Sequence, residues 1–186
     1  DIKNMVDLVF KQYKKIDVLV NNAGIYEETD AVELENDDFL KYFTKTIETN
    51  LTGPAHLSFL AAKIMKEKGG GKIINITSRG AFRGEPTAWP YGAAKAGLNS
   101  LGQSMAKALA RYNIMVYTIA PGFVETDMTK KILEGPRGHE IIQQSPLNRA
   151  AKPEEIASLV KFLAEEGHQY MTGSIIDING ASYLRS

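Results

Sequence analysis

A tyrosine and a lysine stand four residues apart in this sequence, Tyr91 and Lys95, at the start of a segment with helical periodicity. Apolar residues follow Lys95 at intervals of three and four, as one face of an α-helix requires, at Leu98, Leu101, Met105 and Leu109. The two side chains are therefore expected to lie one above the other. A phenol titrates near about 10 in water and a neighbouring ammonium favours the phenolate, so the pair could exchange a proton near neutral pH. The alternative interpretation is that Tyr91 and Lys95 are two ordinary, half-exposed residues of a helix, since the same spacing occurs there too.

Further polar motifs stand at the ends of other predicted elements. Ser78 closes a buried strand that the apolar run 72–77 predicts, and Asn50 ends a helical stripe. The tetrapeptide Asn21-Asn22-Ala23-Gly24 directly follows the apolar run 18–20. The hexapeptide Pro121-Gly122-Phe123-Val124-Glu125-Thr126 follows another strand, at the carboxyl end, where ligands bind in open parallel sheets.

In this order and with these separations, the motifs resemble the short-chain dehydrogenase/reductase family over essentially the whole chain. The resemblance implies hydride transfer between NADP or NAD and a carbonyl carbon. Ser78 would donate a hydrogen bond to the substrate oxygen, and Tyr91 would supply its proton. Lys95 would lower the pKa of the tyrosine and hold the nicotinamide ribose. Asn50 would position a relay water. The implied catalytic residues are thus Asn50, Ser78, Tyr91 and Lys95.

The same resemblance implies which residues meet the cofactor. The backbone after the first strand would pass along it, and Gly24 permits the close approach. Val124 and Thr126 would meet its nicotinamide end. The full set of implied cofactor-binding residues is Asn22, Ala23, Gly24, Tyr91, Lys95, Pro121, Gly122, Val124 and Thr126. Family members assemble through a four-helix interface, so a homodimer or homotetramer is expected.

The substrate is less well specified by the sequence. Within the family, the resemblance is closest to 3-oxoacyl-(acyl-carrier-protein) reductases of fatty-acid synthesis. Basic residues near the cleft rim would then receive an acidic carrier protein, or they are solvated surface charges: Arg79, Arg83, Lys130 and Lys131. A short-chain dehydrogenase for another alcohol, sugar or ketone is the alternative. A second alternative is an inactive fragment or a non-catalytic scaffold.

Bulk composition argues against several other classes. Twenty-two basic and twenty-two acidic residues cancel, which predicts no recruitment of nucleic acid or anionic membrane. No apolar run is long enough for a membrane span. The chain has no cysteine and three widely separated histidines, so disulfides, thiolate catalysis and a metal site are not expected. A cytoplasmic protein fits this composition.

The hydrophobic pattern predicts an α/β fold. Four apolar strands, near 16–20, 72–77, 114–119 and 174–178, alternate with helices and lack a polar face. This pattern is typical of a partial doubly wound, Rossmann-like parallel sheet with helices on both faces, here one domain over 1–186. Gly69-Gly70-Gly71 is interpreted as a helix C-cap, and 127–148 as an interrupted, mobile substrate lid. Phe82 and Trp89, in the loop after Ser78, are expected either to wall the substrate cleft or to plug the core.

The first β-α units of the family pattern do not occur in this sequence. There is no Thr-Gly-x-x-x-Gly-x-Gly turn, and the chain begins with Asp1 inside a helical pattern. We therefore expect about 60 residues to precede Asp1 in an intact member, at roughly 30 residues per unit. The strand at 16–20 is then expected to form an exposed edge, and the isolated chain to bind cofactor weakly or not at all.

Overall fold

The computed structural model describes residues 2–185 and contains helices on both faces of one sheet. The four strands are β1 Val18–Asn21, β2 Gly71–Ile76, β3 Ile114–Pro121 and β4 Ile175–Ile178. The helices are α1 Ile2–Tyr13, α2 Asn36–Ile47, α3 Gly53–Glu67, α4 Gly80–Arg83, α5 Trp89–Leu109, α6 Asp127–Leu133, α7 Gly138–Gln143 and α8 Pro153–Ala164. A π-helical turn, Glu48–Thr52, joins α2 to α3, and single 3₁₀ turns occur at Ala31–Glu33, Ala110–Tyr112 and Gln169–Met171.

The sheet is parallel throughout, in the order β1-β2-β3-β4. Each predicted strand is present within two or three residues of its expected bounds, so the α/β prediction is confirmed. Strand β1 lies at one edge, pairing only with β2 among the described residues. Val20 on this edge is 39% exposed, as the sequence predicted for an unpaired strand.

Two apolar cores lie on opposite faces of the sheet because adjacent strand residues point in opposite directions. Ile73 and Val116 face α3 and α5, in a cluster with Ala61, Met65, Ala106 and Ile114. Ile74 and Ile119 face the other side, where they pack with Tyr117 and with Leu163 of α8. Both faces of the central strands are thus buried, which is why these strands are continuously apolar.

Helix α5 is held unusually close to the sheet. A Cβ at Gly102 would lie 2.8 Å from the Thr118 hydroxyl of β3, so only glycine allows this approach without a shift. The helix begins at Trp89, two residues before the predicted start, because Pro90 occupies its first turn, where the missing N–H is not needed. The close packing fixes the first turn of α5 over the carboxyl ends of the strands. Helix α3 ends at Glu67, and Gly69, two residues further on, adopts a φ of +94°, in agreement with the predicted C-cap.

Candidate active site

The carboxyl ends of β1, β2 and β3 open into one cleft of about 430 Å³. Ten of the residues predicted from the sequence line this cleft. They are Asn22, Ala23 and Gly24 after β1, Ser78 after β2, Tyr91 and Lys95 on α5, and Pro121, Gly122, Val124 and Thr126 at the end of β3 and beyond it. The eleventh, Asn50, is fully buried beside it. Residues from four separate stretches of sequence therefore converge at one end of the sheet, the usual ligand position in open parallel sheets.

Tyr91 and Lys95 lie one turn apart on α5, with the Lys95 ammonium 5.6 Å from the centre of the Tyr91 ring. The Lys95 Nζ donates one hydrogen bond, of 2.9 Å, to the carbonyl of Ile76 at the end of β2. An ammonium has three donors, and no second acceptor is found for it among residues 2–185. Two donors are therefore left for hydroxyl groups of a ligand in the cleft.

Gly24 leaves open space beside the Lys95 ammonium because it has no side chain. A Cβ on this residue would lie 3.2 Å from Asn50 Oδ1 and 3.5 Å from Lys95 Nζ, so a side chain here would fill the space beside the ammonium. Together with the free donors of Lys95, this Cβ-free backbone fits a nicotinamide ribose.

Asn50 has a structural role that the sequence did not predict in detail. It sits in the π-helical turn, where its Nδ2 donates to the carbonyl of Ile25 and its Oδ1 accepts from the Ile25 amide, both at 2.8 Å. The side chain thus completes the backbone hydrogen bonds of the loop after β1, as a buried polar backbone requires. The relay-water role implied by the family remains a prediction.

Ser78 connects the end of β2 to Tyr91. Its Oγ accepts a 3.0 Å hydrogen bond from the Gly80 amide, and Ser78 lines the same pocket as Tyr91. Burial raises the pKa of Tyr91 above its ordinary value; the Ser78 side chain opposes this rise and Glu85 adds to it. Burial also lowers the pKa of Lys95 to about 8.

These shifts correct the expectation that Lys95 lowers the pKa of Tyr91. Removal from water disfavours the charged form of each group, and it dominates both pKa values. The ammonium lies near the ring but is turned towards the Ile76 carbonyl. In this state of the protein, Tyr91 therefore holds its proton more firmly than free tyrosine.

A smaller pocket of about 60 Å³ lies next to Ser78 and Tyr91 and contains several groups that the sequence did not single out. Tyr26 packs edge-on against Tyr91, with ring centres 4.9 Å apart, and donates a 2.9 Å hydrogen bond to Glu28. Burial raises the pKa of Tyr26 well above its ordinary value. Only its place two residues after Gly24 could have indicated Tyr26 from the sequence. The other lining residues are Arg79, Glu85, Gly122, Phe123, Met128 and Thr129.

Arg79 differs most from its prediction. It was expected at the cleft rim, but only 3% of it is exposed, so it is not available to an acidic carrier protein. Its guanidinium lies 5.1 Å from the centre of the Phe123 ring and donates to Gln144, and burial lowers its pKa to about 10. Arg83, Lys130 and Lys131 are exposed, as expected.

The two aromatic residues predicted as a cleft wall or core plug take neither position. Trp89 is 47% exposed; its indole donates to the Pro86 carbonyl and its ring packs on Phe39 of α2. Phe82 packs under the guanidinium of Arg185. Both lie outside the cleft and its inner pocket, because the loop turns back on itself through α4 before α5 begins.

The loop after β3 is held by its own hydrogen bonds. The Thr126 amide donates to Thr129 Oγ1, and the Thr129 hydroxyl donates to the carbonyl of Val124. Val124 also forms an isolated parallel bridge with Ala151. These contacts fix Val124 and Thr126 at the mouth of the cleft. The predicted lid, 127–148, contains two short helices, α6 and α7.

No cluster of three metal-ligating side chains occurs within the described part of the chain. In the same residues, no helix combines the length and apolar character needed to cross a bilayer.

Comparison with known proteins places these motifs in a family. Residues 1–181 match the family model described as enoyl-(acyl carrier protein) reductase. The chain is 38% identical to 3-oxoacyl-(acyl-carrier-protein) reductase of Thermotoga maritima, over 96% of this chain and 71% of the relative. It is 37% identical to 3alpha-hydroxysteroid dehydrogenase of Mediterraneibacter gnavus, over 96% of this chain and 69% of that protein.

A similar structure is a gluconate 5-dehydrogenase from Burkholderia cenocepacia, in complex with NADP and tartrate. It superposes with a TM-score of 0.89 at 28% identity, covering 97% of this chain and 70% of that one. The extent of the sequence match and the shared parallel sheet agree with the motif order noted above. The chain therefore belongs to the short-chain dehydrogenase/reductase family of nicotinamide-dependent oxidoreductases.

Proposed function

We propose that this protein interconverts a ketone and a secondary alcohol with NADP or NAD, using Ser78, Tyr91, Lys95 and Asn50 as the catalytic set. The observation that carries the proposal is the convergence of Ser78, Tyr91 and Lys95 on one cleft beside the Cβ-free backbone of Gly24. The cofactor supplies the hydride, and the protein positions the substrate and moves the proton.

Each side chain then has a defined task. Ser78 Oγ donates to the carbonyl oxygen and orients it towards Tyr91. As the carbonyl carbon is reduced, negative charge develops on its oxygen, and Tyr91 gives this oxygen its proton. Lys95 holds the ribose of the cofactor with the ammonium donors that the Ile76 carbonyl leaves free. Because its pKa is raised, Tyr91 is protonated at neutral pH and is available as the proton donor.

The proposed cofactor site uses Asn22, Ala23 and Gly24 on one side of the cleft and Pro121, Gly122, Val124 and Thr126 on the other. Lys95 would hold the ribose with its two remaining donors. NADP is the first choice because the gluconate 5-dehydrogenase structure contains it. Activity with NADPH and NADH, measured side by side, distinguishes the two.

A 3-oxoacyl-(acyl-carrier-protein) is the first candidate substrate, by similarity to the Thermotoga maritima relative. The exposed Arg83, Lys130 and Lys131 would then receive the carrier protein. A small hydroxy acid or sugar acid is the second candidate, favoured by the ionisable groups Arg79 and Glu85 in the inner pocket. A homotetramer in the cytoplasm, built from single-domain subunits, completes the proposal.

The Tyr91→Phe variant tests the proposed chemistry. We expect it to lose about 10²- to 10⁴-fold in turnover, the usual contribution of a general acid. Cofactor binding should stay within about threefold, because Lys95 and Gly24 are unchanged. Tyr112→Phe is the control, because Tyr112 lies at the far end of α5, beneath the Lys66 and Arg111 cations, and should keep full activity.

Retention of most of the turnover by Tyr91→Phe would reject the assignment of the proton donor. A wild-type chain that reduces no ketone with either cofactor would instead support the second alternative, an inactive fragment or a non-catalytic scaffold.

A further inference from the structure

Two guanidinium groups, that of Arg79 in the inner pocket and that of Arg83 outside it, converge on one neutral oxygen. Gln144 Oε1 accepts a 2.6 Å hydrogen bond from Arg79 and a 3.1 Å hydrogen bond from Arg83. Arginine forks pair most strongly with carboxylate or phosphate oxygens, and an amide oxygen carries no charge to balance two cations. The Gln144 amide oxygen is therefore a weaker partner for the two guanidinium groups than a carboxylate would be.

Arg79 lacks a carboxylate partner. It is 97% buried, given its 3% exposure, yet no acidic side chain lies within ion-pair distance of it in residues 2–185. The nearest such pair joins Arg83 Nε to Glu85 at 3.9 Å. Glu85 shares the pocket but forms no ion pair with Arg79, whose hydrogen bonds go to the Gln144 amide oxygen and, at 3.5 Å, to the Ser182 carbonyl. A buried charge is costly unless it is paired, so this guanidinium, held by neutral oxygens beside the proposed catalytic serine, has room for a charged ligand.

The position of Arg79 shows which part of a ligand it would meet. It follows Ser78 directly in the chain, and both residues line the same pocket of about 60 Å³ as Tyr91. Arg79 also lines a larger cavity of about 510 Å³, which gives an acidic group room beside the guanidinium. Gln144 caps the C-terminal end of α7, a six-residue helix in the proposed lid.

We propose that Arg79 and Arg83 bind a carboxylate of the substrate, which replaces the Gln144 side chain. The inference rests on the proposed function and narrows its substrate class to small ketones that carry an acid group close to the reacting carbonyl. The phosphate of an acyl-carrier arm is too far along its chain from the carbonyl to reach a pocket that also holds Ser78 and Tyr91.

Matched acids and esters test this assignment. The probes are acetoacetate and levulinate, their methyl esters, and the acetoacetyl thioester of N-acetylcysteamine. In each acid–ester pair the ketone is the same and only the charge differs. We expect kcat/KM of the better acid to exceed that of its ester by about 10-fold or more, since hydrogen bonds to charged groups are the strong ones.

Variants of the three side chains separate binding from catalysis. Arg79→Met should lower the acid-to-ester ratio of kcat/KM by about 10- to 100-fold, because only the acid makes a charged contact with this residue. Arg83→Met, at an exposed residue that the fold does not need, should have a smaller effect in the same direction. Gln144→Ala should lower KM for the acid alone. Arg111→Met, at the far end of α5, is the matched control and should change neither substrate.

Calorimetric titration of the chain with acetoacetate, without cofactor, gives a readout that does not depend on turnover. Binding that is lost in Arg79→Met and kept in Arg111→Met supports the carboxylate site. Equal use of acid and ester by the wild type, an equal loss for both in Arg79→Met, or preference for the thioester overturns it. If the esters are not reduced either, the proposed function fails, and the titration still decides the carboxylate site.

Discussion

Burial governs the chemistry of the individual residues in this cleft. It raises the pKa of Tyr91 and lowers that of Lys95, so each group is driven towards its neutral form. The first shift keeps Tyr91 protonated but makes it a weaker acid than free tyrosine. The second shift means that keeping Lys95 charged lowers the stability of the folded protein.

The Lys95 shift predicts a dependence of stability on pH. The pKa of Lys95 falls from 10.5 to about 8 on folding, so between these values the unfolded chain binds more protons than the folded one. Stability must then rise with pH across this window, and the cost is fully present below pH 8. Its size is about 3 kcal/mol, from about 1.4 kcal/mol per pKa unit.

Urea unfolding of wild type and Lys95→Met at pH 7 and pH 10 measures this effect. The variant also loses the hydrogen bond to Ile76, which lowers its stability at both pH values. The test is therefore how much the difference in unfolding free energy between wild type and variant changes from pH 7 to pH 10. We expect wild type to gain about 2 to 3 kcal/mol relative to the variant over this interval. A pH-independent difference would contradict the buried ammonium.

Sequence spacing predicted the residues whose neighbours lie within a few positions or at strand ends. Ser78, Tyr91 and Lys95 are such residues, because a strand end and a helical turn fix where they point. The burial of Arg79 could not be predicted in this way. It depends on Gln144, 65 residues away, and on the folding of the lid against the cleft.

Among the elements, the π-helical turn between α2 and α3 has the most direct effect on the cleft. It places Asn50 so that both of its side-chain hydrogen bonds go to the backbone of Ile25. The loop that carries Asn22 and Gly24 is thereby tied to α2 and α3. A wider helical turn at a functional site is a frequent use of π geometry.

Asn50→Ala should therefore destabilise the protein as well as the site. It leaves the Ile25 amide and carbonyl without partners, at about 1 to 3 kcal/mol for each unsatisfied buried group, so we expect a loss of about 2 to 4 kcal/mol. Asn36→Ala, in the first turn of α2, is the control, since exposed substitutions usually stay within about 0.5 kcal/mol. Chemical denaturation measures both, and equal midpoints would show that the Ile25 contacts do not hold the loop.

The parallel sheet was predictable at the level of elements because its four strands are continuous apolar runs. Element bounds were less accurate where backbone chemistry decides them. With Pro90 in its first turn, α5 begins at Trp89, two residues earlier than predicted. The loop between Ser78 and α5 contains the short helix α4, and Phe82 and Trp89 lie away from the cleft.

In the molecule as a whole, the cleft, its inner pocket and the lid helices all lie at one end of the parallel sheet. The residues proposed to meet the nicotinamide end of the cofactor line the cleft at this end, and β1 lies at the sheet edge. Reduced nicotinamide mononucleotide, which carries only that part of the cofactor, is thus the reagent best matched to the site, with NADPH beside it.

The most direct measurement is transfer of deuterium to a ketone from reduced nicotinamide mononucleotide, or from NADPH, with both C4 hydrogens replaced by deuterium. Mass spectrometry of the alcohol, with the ketone panel used above, detects it. We predict deuterium on the new carbinol carbon with the wild-type chain, and a loss of about 10²-fold or more with Tyr91→Phe. Alcohol without deuterium, or equal labelling by Tyr91→Phe and wild type, would contradict hydride transfer with Tyr91 as the proton donor.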